Sequence, residues 1–522
     1  MPVYFKAKSK GCKMHPFEKK NCSHSGGVLR RLGLSAAIGL MLAGCAVGPE
    51  YKAPISPQGV GKVYGAEALP DNTEAATSSE VGSAGAAQHI KYGQDLPAQW
   101  WTLFHSEALD QLIRSALKQN PTYAMAEASL RQAKENFTVE TGLLDYPSVN
   151  AQLGATRERA QLGSATPSVF NLYNASVNVS YTVDIFGASR HQLESLMAQV
   201  DYQQFQLDAA YQMLVSNVVT TAIREAALRA QLQATQNVLK AQQTQLEIIE
   251  KQLALGAITR SVALAQSTLV AQTRAQVSPL EKSLAQTRHQ LAVYVGKLPS
   301  ETGLPEFQLD ALQLPQNLPV SLPSELVRKR PDIRASEALL HAASAQVGVA
   351  TANQYPQLNL TGSFSVNSVQ MGSSNPSSTL WNLGAGLTQP LFNGGALSAK
   401  RRAAAAAYDQ AEAQYRGTVL SAFQNVADNL RAIDSDATTL NAQANAEKLA
   451  RESLEINRQQ YQLGGENYLA LLDAERIYQQ ARINLIVAQS ARLGDTAALF
   501  VSLGGGWWNR QKEEAVTAKV AP

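Results

Sequence analysis

The sequence predicts a mainly α protein with a β-barrel part, built from two copies of one unit. Three observations carry this. The 522-residue chain repeats itself at a spacing of 206–210 residues. Each copy holds two stretches in which apolar residues alternate with neutral polar ones. Each copy also holds 68 residues between glycines that could form one very long helix. Self-similarity at a fixed period is the mark of a quasi-symmetric architecture.

The repeat is direct. Residues 121–155 read PTYAMAEASLRQAKENFTVETGLLDYPSVNAQLGA, and residues 331–364 read PDIRASEALLHAASAQVGVATANQYPQLNLTGSF. Pro121 aligns with Pro331, Glu127 with Glu337, and Tyr146-Pro147 with Tyr355-Pro356. Further on, Phe186 answers Phe392, Gly256 answers Gly465 and Gly296 answers Gly505.

The N-terminus reads as a secretion signal over 1–44. Arg30 and Arg31 precede an apolar run from Leu32 to Leu42, which is too short to span a bilayer. The Leu42-Ala43-Gly44-Cys45 tetrad has the form of a bacterial lipobox, which makes Cys45 the acylated first residue of the mature chain. The alternative is an ordinary signal with an incidental cysteine. Cys12 and Cys22 precede the signal core, so a mature chain starting at Cys45 has no intramolecular disulfide. The long basic leader also fits a start near Val28. The net charge of +3 is a product of this leader, because residues 1–44 hold eight Lys/Arg and one acid, +7, leaving 3 − 7 = −4 for the rest. The charge therefore gives no reason to expect nucleic acid.

Residues 45–95 read as a lipidated linker. EYKAPISPQG and TEAATSSEVGSAGAAQ carry little large apolar surface to bury, which predicts extended or mobile chain, with order resuming near Trp100-Trp101. Two repeats then occupy 96–304 and 305–508, and a tail occupies 509–522.

Strands are predicted at 149–155, 173–183, 358–366 and 381–388. In the second, Tyr173, Ala175, Val177, Val179, Tyr181 and Val183 share one face, and Asn174, Ser176, Asn178, Ser180 and Thr182 share the other. The polar face is Asn/Ser/Thr/Gly rather than charged, as in a transmembrane barrel with lipid outside and water inside. A soluble β-sandwich with one wet face is the competing assignment. Four strands cannot close a membrane barrel, and an open edge in lipid leaves backbone groups unbonded, so the barrel must be shared between chains.

The segments 187–256 and 395–464 carry no proline, and only Gly417 interrupts the second. At about 1.5 Å per residue each reaches roughly 100 Å. Apolar residues recur there at three- and four-residue spacing among Gln, Ala and Arg, a coiled-coil-like pattern. Return helices follow the glycine turns at 260–294, interrupted at Pro279, and at 467–502. A soluble helical bundle would account for the helices alone, not for the lipobox or the strands. His15, His24, His89, His105, His191, His289 and His341 show no metal-ligand spacing, and no phosphate loop, paired-Cys site or nucleophile elbow occurs. The chain is therefore expected to be neither an enzyme nor a cofactor protein.

Several strings together resemble a known family. They are Leu42-Ala43-Gly44-Cys45-Ala46-Val47-Gly48-Pro49, Trp100-Trp101, Asp184-Ile185-Phe186-Gly187, Leu322-Pro323-Ser324-Glu325-Leu326 running into Arg330-Pro331-Asp332-Ile333-Arg334, and Gln389-Pro390-Leu391-Phe392-Asn393-Gly394-Gly395. In this order they resemble the outer-membrane lipoproteins of resistance-nodulation-division efflux systems, the NodT-like branch of the TolC-type proteins. The resemblance implies a homotrimer with a 12-stranded barrel and a periplasmic α-barrel. It implies a periplasmic adaptor and a proton-driven inner-membrane pump as partners, and passive conduction of drugs or other small toxic compounds. Type I protein secretion or metal-ion export would use the same duct. A non-conducting adhesin-like lipoprotein is the alternative of another class, and should show low-complexity or Cys-rich modules.

The resemblance also assigns sites. Leu469 would form an apolar ring at the periplasmic end, with Asp473 and Arg476 making the polar contacts that hold the tips together. The turns at Leu255, Gly256, Ala257 and Thr259, and at Gly464 and Gly465, would meet the adaptor. The competing assignment for Asp473 and Arg476 is an ordinary (i, i+3) pair on one helix surface.

Overall fold

The computed structural model describes residues 47–54, 64, 70–76, 79–161, 167–301, 303–370, 373 and 375–510. Cys45 and the signal sequence lie outside the described residues, as does the tail beyond Arg510.

The chain runs β1 (His89–Tyr92), α1 (Glu107–Gln119), α2 (Pro121–Leu144), β2 (Ser148–Ala160), β3 (Ser168–Val183), α3 (Ala188–Ala254) and α4 (Arg260–Tyr294). It continues with β4 (Asn317–Val320), α5 (Pro323–Lys329), α6 (Pro331–Ala352), β5 (Gln357–Gln370), β6 (Ser377–Thr388), α7 (Ala396–Gln462) and α8 (Tyr468–Ser502). The repeat is exact in helix length. Both long helices have 67 residues and both return helices have 35.

Helix starts follow their local chemistry. Asn120 caps α2 by accepting from the Tyr123 N–H at 3.0 Å, and Pro121 fills the first position, where no N–H is needed. Pro331 opens α6 in the same way. The strand-to-helix corners end on Gly187 at φ 89° and Gly395 at φ 83°.

The four alternating segments form one antiparallel sheet in the order β2-β3-β5-β6. The strands are longer than the alternation alone suggested. Its register places Ala151, Val177, Phe364 and Trp381 in one row on the apolar face. The polar face is stitched across strands by Asn174 Nδ2 to Asn367 Oδ1 at 2.5 Å and Thr182 Oγ1 to Asn359 Oδ1 at 2.7 Å. The edges of β2 and β6 have no partner strand among the described residues.

Below the sheet, helices α3, α4, α7 and α8 pair as two antiparallel hairpins. Helix α4 runs unbroken through Pro279, against the expected interruption. Pro279 and Ala275, whose carbonyl loses its i+4 donor, are both exposed, so water can meet that carbonyl. Midway along the helices lies the main core, in which Trp100, Phe104, Leu318, Val320 and Phe500 are buried.

The linker expectation fails over 72–76 and 79–92. Strand β1 pairs in parallel with β4, and Thr73, Val81, Ala84, Gln88 and Ile90 are buried. The fully buried Arg492 of α8 explains this. Its guanidinium donates to Ala84 O at 2.9 Å, Ala86 O at 2.8 Å and Thr73 Oγ1 at 2.9 Å, so a segment poor in apolar bulk is held by charge-assisted hydrogen bonds instead.

Candidate functional site

A duct needs a wall and ends, and the fold supplies both. On the sheet, Val149, Leu153, Val177, Trp381, Leu383 and Leu387 stand exposed on one face, with Trp381 at 72% and Leu383 at 81%. The other face carries the hydrogen-bonded Asn, Ser and Thr rows. This is an apolar exterior over a neutral, wet interior. No described helix is long and apolar enough to cross a membrane.

The two hairpin turns share one geometry. In the first, Gly256 adopts φ 72°, its N–H bonds Leu253 O at 2.9 Å, and the Ala257 N–H bonds Gln252 O at 2.9 Å. In the second, Gly464 adopts φ 77°, its N–H bonds Tyr461 O at 3.2 Å, and the Gly465 N–H bonds Gln460 O at 2.9 Å. Each is a left-handed helix terminus, where glycine avoids the Cβ penalty. The counterpart of Gly256 is therefore Gly464, one residue before the Gly465 that the sequence alignment paired with it. Gly465 takes the place of Ala257. Thr259 and Asn467 then precede the return helices, and Asn467 Oδ1 accepts from the Ala470 N–H at 3.0 Å. Leu255 and Leu463 project from the tips at 84% and 86% exposure.

Leu469, Asp473 and Arg476 lie in the first three turns of α8. Leu469 is 64% exposed. Asp473 accepts from Arg476 at 2.7 Å on the same helix, with both side chains more than half exposed. Within one chain this is the (i, i+3) surface pair, worth a few tenths of a kcal/mol. The structure brings the three residues together at one end and leaves them facing outward from the protomer.

Sequence reading missed what ties the two tips together. Ile249, Ala263, Leu454, Tyr468, Leu471 and Ala474 form a small apolar cluster between the hairpins. The buried Tyr468 hydroxyl donates to Gln266 Oε1 at 2.5 Å, and Gln266 Nε2 donates to Gln242 O at 2.7 Å. Burial raises the Tyr468 hydroxyl well above the usual phenol range, with the charge of Glu475 adding to it. The available signal was a glutamine on each helix of the first hairpin, Gln242 and Gln266, facing a tyrosine at the start of the second return helix, which periodicity alone does not single out.

A family profile, "Outer membrane efflux protein", matches residues 112–297 and 322–505. The chain belongs to this family. Among the relatives of this outer membrane efflux protein is the pyoverdine export outer membrane protein OpmQ of Pseudomonas aeruginosa, 31% identical over 78% of this chain and 87% of OpmQ. Another is the cation efflux system protein CusC of Escherichia coli K12, 29% identical over 91% of this chain and 99% of CusC. Among solved structures, the outer-membrane channel OprN superposes with a TM-score of 0.77 at 26% identity, covering 89% of this chain and all of OprN. The efflux protein accordingly has the TolC-like fold, with its sheet in the outer membrane and its helices in the periplasm.

Proposed function

We propose that the protein is the homotrimeric exit duct of a tripartite efflux system. It conducts drugs or other small toxic compounds passively from a periplasmic adaptor and an inner-membrane resistance-nodulation-division pump to the exterior. The observation that carries this is the sheet with two unpaired edges. Its exposed apolar face suits lipid, where unbonded edge groups cost several kcal/mol each, so the edges call for closure. Two copies would close about eight strands, whose interior side chains fill; three give twelve and leave a lumen.

Cys45 is the acylated residue that anchors the mature chain. Leu469, Asp473 and Arg476 form the periplasmic gate, because threefold symmetry brings three copies of each near one axis. Leu255, Gly256, Ala257, Thr259, Gly464 and Gly465 present the ends that the adaptor meets. The energy comes from the pump. OpmQ and CusC are named for pyoverdine export and for cation efflux, so one duct architecture serves unlike cargo, and selection among drugs, metal ions or secreted protein belongs to the partners.

Light scattering of the detergent-solubilised protein should give about three times the 56.1 kDa chain mass, less the signal peptide. Planar bilayers should then show discrete conductance. A monodisperse monomer would overturn the duct.

A further inference from the structure

The four strands of the membrane sheet carry only three charged residues, and these are consecutive: Arg157, Glu158 and Arg159, near the end of β2. The β2–β3 ladder pairs residue by residue from Ser148↔Ser180 to Ala160↔Ser168, so side chains alternate across it. Arg157 and Arg159 therefore share the outward face of Val149, Ala151, Leu153 and Ala155, and Glu158 lies on the inner face. Both arginines are exposed. Opposite them stand Asn171 and Val169. They have no acidic partner among the described residues. The connecting sequences 161–167 and 371–376 contain no Asp or Glu either.

The apolar band sets their height. On β3 the outward side chains of that band run from Tyr173 to Val183, and 183 − 173 = 10 residues of strand span about 33 Å. At a tilt of about 40° the band is about 25 Å tall, which is what a membrane barrel presents to hydrocarbon. Val183 adjoins the periplasmic helices, so Tyr173 marks the extracellular limit. The hairpin registers Ser148↔Ser180 and Gln357↔Thr388 make Trp381 the repeat counterpart of Tyr173, and the two are 72% and 45% exposed. Outward aromatic side chains at one level form the girdle found at a membrane interface. Ala155 pairs with Tyr173, so Arg157 and Arg159 lie two and four residues beyond the girdle, about 5 and 10 Å further out. That is the headgroup level of the outer leaflet. The rest of this rim is polar but neutral: Asn171 Nδ2 donates to Gln370 Oε1 at 3.3 Å, and Ser368 pairs with Ser377.

Duplication does not account for the charges. The same registers make Val366 the counterpart of Arg157 and Ser368 the counterpart of Arg159. The first repeat alone brings cations to this level.

We propose that Arg157 and Arg159 bind the phosphates of the glycolipid that forms the outer leaflet. A guanidinium offers a planar pair of donors that matches phosphate oxygens, and two of them on one strand face are spaced to take two phosphate groups of one headgroup. The acyl chains of the same lipid then lie along the apolar band below. The occupant is a lipid because phosphate is already held at this height by the bilayer, next to the exposed apolar face that the chains cover. A zwitterionic headgroup fits less well, because it brings its own cation beside the arginines.

The test adds diphosphorylated lipid A to the purified full-length protein in detergent and counts bound lipid per chain by native mass spectrometry. Lipid A stripped of both phosphates should bind the parent about tenfold more weakly, or worse. Arg157→Gln with Arg159→Gln should show a similar loss for intact lipid A. Glu158→Gln, on the inner face, should leave binding within a few-fold of the parent. The comparison of the two lipids on the parent decides the matter even where a variant fails to fold. Equal binding of phosphorylated and stripped lipid overturns the proposal, as does a folded glutamine pair that binds like the parent. Displacement of lipid A by an equimolar amount of inorganic phosphate would make this a site for free anions and overturn it too.

Discussion

Arg492→Met should release the N-terminal segment from the helical body while leaving the hairpins folded. The substitution keeps an unbranched chain of similar length and removes every donor. Four acceptors lose this donor: Ala84 O, Ala86 O, Gln88 Oε1 at 3.4 Å, and Thr73 Oγ1, which keeps the Gln88 N–H at 2.9 Å while the Thr73 N–H bonds Gln88 O at 2.9 Å. Two of them are backbone carbonyls that the methionine cannot satisfy. Each charge-assisted bond is worth about 1.5–3 kcal/mol, but the four share one guanidinium and do not add. The guanidinium leaves with its charge, so what remains is two buried carbonyls without a donor, at about 1–3 kcal/mol each, or about 3–5 kcal/mol for the pair. Because the network joins 73–88 to α8, the cost falls on local opening of that segment. A change of this size raises the open population by roughly a hundredfold to a few thousandfold. Lys91 in β1 reports it. Tryptic cleavage there requires the strand to leave β4, and its rate follows the open population when closing is fast. Cleavage should accelerate by about two orders of magnitude or more, while the far-ultraviolet circular dichroism keeps its helical strength. A Lys91 cleavage rate within a few-fold of the parent would refute the argument and leave the Thr73–Gln88 bonds as sufficient on their own.

Other outcomes follow from the remaining groups. Asp436 is pushed up to about 7 by burial and by the neighbouring Asp495 carboxyl, against the pull of Arg492. The folded state therefore holds a proton that the unfolded state has already released, so this contribution is complete at low pH and is lost as pH rises from about 4 to about 7. Asp436→Asn should gain about 1–2 kcal/mol on the parent between about pH 4 and about pH 8, after allowance for solvent screening, and a pH-independent offset in thermal unfolding would count against it. Asp473→Ala with Arg476→Ala should raise single-channel conductance at matched trimer content; equal conductance would return these residues to the role of a helix-surface pair. Cells treated with globomycin should accumulate the precursor if Cys45 is acylated, and unchanged gel mobility would argue against that.

The architecture was readable because its determinants are periodic and local. Unbroken alternation over 173–183 reads as strand, and the two 68-residue stretches without proline read as helix. The apolar face then has to be covered by lipid, and the open edges have to be covered by strands. What could not be read depends on single long-range contacts. Residues 72–76 and 79–92 look like a linker, because their order comes from Arg492, more than 400 positions away in sequence. Pro279 looked like a break, because whether the released carbonyl meets water depends on which way the helix face points. The tip alignment slipped by one at Gly465, since two adjacent glycines match one glycine equally well by letter, and only φ distinguishes them. At the candidate gate the sequence placed Leu469, Asp473 and Arg476 on one helix end, but their roles depend on neighbours across an axis.

The Tyr468–Gln266 bond bears on how such an end would open. The second hairpin carries Leu469, Asp473 and Arg476, and Tyr468 at its start is buried against the first hairpin. Any outward movement of the second tip relative to the first has to break the 2.5 Å bond to Gln266, which is itself fully buried. The two contacts therefore restrain the tip from different sides: Tyr468 ties it within the chain, and Asp473 with Arg476 would tie it across the axis. Tyr468→Phe keeps the ring in its cluster and removes only the hydroxyl, leaving Gln266 Oε1 without a donor at a cost of about 1–3 kcal/mol. Open probability in planar bilayers should rise, and the effect should add in free energy to that of Asp473→Ala with Arg476→Ala if the two restraints are independent. Tyr468→Phe without effect, beside a responsive Asp473/Arg476 variant, would mean that the hairpins of one chain move together as a rigid pair. Opening would then be a rotation of whole subunits against one another.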